Sequence, residues 1–99
     1  MKLIIAVVRP FLMEKLVVAL EDIEDFPGLT VIQAEGFGQR IKYTLPETID
    51  PFKSYKQIEI AAPDEMVEQI LTQLSQHANT GKKGDGLILV MPVEKTVFI

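Results

Sequence analysis

The chain has no cysteine and only one histidine, His77, among its 99 residues. Without cysteine there are no disulfides and no thiol chemistry. A single histidine leaves little from which to build a zinc site, and no nucleophile–base pair suggests itself, so neither a metal centre nor a catalytic site is expected. Long apolar runs are missing too: nothing approaches the length of a membrane span. Met1-Lys2 leads straight into a strand pattern rather than a secretory leader, and the expected location is the cytoplasm. Positive charge is in short supply. Ten Lys and Arg face 14 Asp and Glu, a formal net charge of −4, which argues against a nucleic-acid partner.

What is present suits one soluble globular domain spanning residues 1–99. Hydrophobic residues make up 47% and charged residues 24%, and the length allows a single modest core. Residues 3–8 are apolar and rich in β-branched side chains, a strand ended by Arg9-Pro10. Leu12, Leu16, Ala19, Leu20 and Ile23 recur at helical spacing. After the Pro27-Gly28 turn, residues 29–34 form a second strand closed by Gly36-Phe37-Gly38. Residues 39–53 are polar, carry Pro46 and Pro51 and show no period, which is the pattern of a long functional or disordered loop. A third strand covers 55–61. Pro63-Asp64-Glu65 opens a second helix with Val67, Ile70, Leu71, Leu74 and Ala78 on its buried stripe. A fourth strand covers 87–91, and Val97-Phe98-Ile99 form a short fifth.

The order β-α-β-β-α-β predicts an α+β, ferredoxin-like sandwich: an antiparallel sheet with both helices on one face. The other face of such a sheet is ordinarily polar, giving alternating strands. Residues 3–8 and 87–91 do not alternate. They are apolar on both faces, and self-association is the simplest cover for the second. Between the second helix and the fourth strand lies Thr80-Gly81-Lys82-Lys83-Gly84-Asp85-Gly86. Three glycines in six residues allow positive φ and a nest of backbone N–H groups suited to a phosphate. A helix turning into a strand also wants a glycine, so on this loop alone a cap and turn is the better reading.

Several motifs together are more specific. Val8-Arg9-Pro10-Phe11, Gly28-Leu29-Thr30-Val31, Gly36-Phe37-Gly38, Ile58-Glu59-Ile60 with Pro63-Asp64-Glu65, then Thr80-Gly81 with Gly84-Asp85-Gly86 and Ile88, and finally Pro92-Val93-Glu94, resemble the P-II signal-transduction proteins almost end to end. In that light 39–53 corresponds to the family's T-loop and 80–87 to its B-loop. The resemblance implies a homotrimer with nucleotide clefts between subunits. It implies a regulator rather than an enzyme, which senses an adenine nucleotide (ADP, AMP or ATP) and contacts a target transporter or enzyme through the T-loop. Membrane contact would come only through a transporter partner. Thr30, Gly36, Phe37 and Gly38 would flank the adenine and ribose, and Thr80, Gly84, Asp85 and Gly86 the base and phosphates. Arg40, Lys42, Tyr43 and Leu45 would belong to the partner-binding loop.

The sequence also departs from the family. Leu87 stands where the family has a lysine, and Phe98 where it has the first of its C-terminal arginines. These departures imply poor discrimination in favour of the triphosphate. Arg40 falls at the position of a magnesium-holding glutamine and Tyr55 at that of a lysine contacting 2-oxoglutarate, so 2-oxoglutarate binding is not expected. The alternative function is an interaction module that has lost nucleotide binding and holds its partner constitutively. His77 and the acidic run Glu21, Asp22, Glu24 and Asp25 read as solvated surface, Met13 and Met66 as packing. Arg9 reads as a surface charge or as one half of a salt bridge across a subunit contact.

Overall fold

The computed structural model describes residues 1–38, 52–82 and 84–99. Four strands form one antiparallel sheet in the order β2-β3-β1-β4, with β1 spanning Lys2–Val8, β2 Thr30–Gly36, β3 Lys53–Ala62 and β4 Gly86–Pro92. Helix α1, Met13–Glu21, joins β1 to β2, and α2, Val67–Ala78, joins β3 to β4. This is the ferredoxin-like arrangement that the element order predicts.

Each half enters its helix the same way. A proline leads into one turn of 3-10 helix, Pro10–Leu12 before α1 and Asp64–Met66 before α2. The N–H of Leu12 bonds the carbonyl of Arg9, and that of Met66 the carbonyl of Pro63. Proline suits this place, because it lacks the amide hydrogen that a first turn leaves unpartnered. The chain start is tied to the second helix entry. The Met1 ammonium lies 2.6 Å from Asp64, and this bond holds the Asp64 carboxyl below its ordinary range.

The core lies between sheet and helices. Ile4, Ala6 and Val8 of β1 and Ile58, Ile60 and Ala62 of β3 point to the helices, where Leu16, Leu20, Ile70 and Leu74 meet them, all buried. Met13 and Met66 pack against the rim of this cluster. Alternate residues on the strands point the other way. The register aligns Leu3 with Ala61 and Met91, Ile5 with Glu59 and Leu89, and Val7 with Gln57 and Leu87. Ile32 of β2 joins the last row through Gln57. Among the described residues no helix covers this side. Leu87 and Leu89 are about half exposed, so the non-alternating strands have an apolar second face as the sequence predicts.

Three expectations need correction. Val97-Phe98-Ile99 form no strand and are exposed; a strand is a hydrogen-bonded pairing, and this apolar triplet has no ladder in the protomer. The hairpin arms are longer than expected: β2 runs on through Gly36, and β3 begins at Lys53, inside the stretch read as loop. Phe52, also inside that stretch, packs its ring at 5.7 Å against Phe37 across the base of the hairpin. Residues 39–51, including Arg40, Lys42, Tyr43 and Leu45, lie outside the described residues.

Candidate functional site

One end of the sheet gathers most of the chemistry. Val8 closes both ladders of β1, opposite Lys56 on one side and Gly86 on the other. One step further, the same register sets Arg9 beside Tyr55 and Asp85, on the helix-free face. Arg9 Nε–H donates to Asp85 Oδ1 at 2.9 Å, and Tyr55 Oη–H donates to the Gly84 carbonyl at 3.0 Å. Arg9, which the sequence offers as a surface charge or as one half of an inter-subunit salt bridge, is paired with Asp85 of its own protomer.

Asp85 is the knot of the glycine loop. Its Oδ2 accepts the Thr80 backbone N–H at 2.7 Å, and its Oδ1 accepts the Thr80 hydroxyl as well as Arg9. The loop is thus closed from Thr80 to Asp85 by one carboxylate. A second short bond, from the Gly81 N–H to Asn79 Oδ1 at 2.8 Å, shapes its entry. Gly81 and Gly84 both take φ of +81°. The Thr80 hydroxyl bond is the chief influence holding the Asp85 carboxyl down at about 2, against an ordinary value of 3.8; the Thr80 amide and Arg9 add to it, and desolvation opposes it.

Because the folded value is depressed, the contribution to stability is complete above about 3.8 and is lost as pH falls towards about 2. The Thr80 amide resonance should hold steady from neutral pH down to about 4 and titrate with a midpoint near 2. A midpoint at or above the ordinary carboxylate value would mean that the brace does not hold.

The predicted site residues fall into three groups. Thr80, Gly84, Asp85 and Gly86 form the loop just described. Gly36, Phe37 and Gly38 stand at the end of β2, next to it through Tyr55: a Cβ on Gly36 would lie 2.9 Å from the Tyr55 ring. Thr30 starts β2 opposite Glu59. It lies six residues from Gly36, about 20 Å along an extended strand, so one protomer does not bring it to the loop. Asp85 engages its carboxylate with Thr80 and Arg9, and its part in the loop is bracing. Sequence reasoning gave no site role to Arg9 and placed Tyr55 at a ligand position. Strand register, counted outward from Val8, is the signal that unites them.

Elsewhere the polar clusters are bland. His77 Nδ1 lies 2.9 Å from the Gln73 carbonyl, one turn back on α2. Glu21, Asp22, Glu24 and Asp25 are all exposed. Among the described residues no three His, Asp or Glu side chains come together as a metal site requires, and no helix is long and apolar enough to cross a membrane.

The described residues thus form a ferredoxin-like domain with its glycine loop braced beside a hairpin stem. The family model for nitrogen regulatory protein P-II matches residues 1–99. The nitrogen regulatory protein P-II of Azospirillum brasilense is 36% identical over 103 aligned positions, covering 100% of this chain and 91% of the relative. Those of Haemophilus influenzae and Rhodospirillum rubrum are each 34% identical with the same coverage. The chain belongs to the nitrogen regulatory protein P-II family, whose members are signalling regulators rather than catalysts.

Proposed function

We propose that this protein is a cytoplasmic homotrimer that senses an adenine nucleotide in clefts between subunits and regulates a target transporter or enzyme through residues 39–53. The observation that carries the reading is the glycine loop. It is closed by Asp85 and stands beside the hairpin stem that leads to the proposed target-binding segment, so occupancy of one can reach the other. The helix-free face supports the trimer. Leu3, Ile5, Val7, Leu87, Leu89 and Met91 form a continuous apolar surface on the paired strands β1 and β4, a feature that marks association in small soluble proteins.

The ligand preference follows from charge. Leu87 immediately follows the loop, and its half-exposed side chain offers no cation. Backbone donors then carry the phosphates, and ADP or AMP should bind about as well as ATP. A charge-assisted hydrogen bond contributes about 1.5–3 kcal/mol. Leu87→Lys should therefore tighten ATP by roughly tenfold or more, read by calorimetric titration. Wild-type protein that already prefers ATP strongly over ADP would sink this assignment. A second reading, a module that binds its partner constitutively, draws on Leu87 and on a loop already braced by its own side chains; absence of heat with ATP, ADP and AMP alike would favour it.

A further inference from the structure

Tyr55 touches both halves of the site at once. Its side chain stands on the helix-free face of β3, diagonal to Gly36 in the β2–β3 ladder, since Ala34 pairs with Tyr55 and Gly36 with Lys53. Diagonal neighbours are within reach of an aromatic ring. Here the ring fills the place a side chain on residue 36 would take: a Cβ there would lie 2.9 and 3.0 Å from two ring carbons. The hydroxyl then reaches across to the Gly84 carbonyl at 3.0 Å. Gly36 is the last residue of β2, and Gly84 is one of the positive-φ glycines of the loop.

The bond to Gly84 does more than tether. The peptide linking Gly84 to Asp85 is trans and planar. Its carbonyl and its N–H therefore point in opposite directions. With the carbonyl held by the phenol, the Asp85 N–H is turned away from Tyr55. The Asp85 side chain is pinned independently by Thr80 and Arg9. The plane of this peptide, and with it the direction of one loop N–H, is fixed from both ends.

We propose that Tyr55 is a positioning residue that sets the Gly84–Asp85 peptide plane and links it to the end of β2 at Gly36, so that the anion affinity of the glycine loop and the geometry of the hairpin base depend on each other. Linkage makes the dependence reciprocal: whatever shifts one equilibrium shifts the other by the same factor. The ligand side of this statement rests on the nucleotide reading above; the coupling itself does not.

The test is a double-mutant cycle with ADP as the probe. Tyr55→Phe keeps the ring and removes the hydroxyl. Gly36→Ala pushes the ring from its seat and draws the hydroxyl off Gly84, without placing the backbone at a strained φ. Each single variant should weaken ADP binding about fivefold, the loss of one ordinary hydrogen bond. Gly36→Ala should add little once Tyr55 is Phe, because both remove the same bond. Hydrogen exchange in the unliganded protein gives the second readout. Tyr55→Phe should speed exchange at Gly84–Gly86 and at Gly36–Phe37 together, and leave the amides of α1 unchanged. Additive effects of the two substitutions, or wild-type exchange at Gly36 in Tyr55→Phe, would overturn the coupling. If ADP fails to bind the wild type, the nucleotide reading fails, and the exchange experiment still decides the coupling.

Discussion

Gly86→Ala is expected to unfold the protein or to lower its melting temperature by roughly 20 °C or more. Gly86 takes φ of +130°, and a Cβ there would lie 1.8 Å from the Val7 carbonyl oxygen. That oxygen belongs to the central strand β1, directly beside the register pair Val8 and Gly86. Neither partner can yield without breaking the ladder that places the glycine loop. Backbone strain of this kind costs about 1–3 kcal/mol, and the clash carries the total to about 4 kcal/mol or more. Each kcal/mol moves the melting temperature of a domain this size by about 4–8 °C. Gly81→Ala is the control. It also has positive φ, +81°, but nothing lies within 4 Å of its added Cβ, so only the conformational cost of about 1–2 kcal/mol applies. Equal melting temperatures for the two variants would show that the approach of β4 to Val7 is looser than described.

Leu89→Glu is expected to convert the proposed trimer to a folded monomer. Leu89 lies beside Ile5 on the helix-free face, half exposed in the protomer, and takes no part in the core beneath the helices. The substitution should therefore leave the fold intact. In an assembly that closes over this face it buries an uncompensated carboxylate in every subunit, at about 3–5 kcal/mol each. Sedimentation should show one species near 11.1 kDa for the variant and a single larger one for wild type. A wild type that sediments as a monomer would contradict the reading of this face, and so would a variant that assembles normally.

Much of this was legible in the sequence, for identifiable reasons. Apolar recurrence at three and four fixed both helices, because Leu16 with Leu20, and Ile70 with Leu74, can all face one sheet only on a helix. The lack of alternation in β1 and β4 announced a second apolar face before any topology was known. The glycine loop was legible as a loop, though not as one closed on itself. That closure depends on Asp85 meeting Thr80 five residues back and Arg9 at a separation of 76. The second distance is set by strand register, which the pattern of residues 3–8 does not reveal until its partners are aligned. Tyr55 was hidden for the same reason. Its role rests on the missing side chain of Gly36 on a neighbouring strand and on a carbonyl in a third segment. Val97-Phe98-Ile99 shows the opposite error: an apolar triplet has strand composition, but composition supplies no partner.

An amide-resolved NMR titration of the assembled protein with ADP is the most direct measurement of whether the glycine loop is a ligand site. The expected result is saturable shifts at Gly81–Gly86 and at Gly36–Gly38, the two segments that Tyr55 joins, with the α1 and α2 amides unmoved. Shifts confined to the groove between α1 and α2, around Asp22, Gln73 and His77, or no shifts at any ADP concentration, would contradict it.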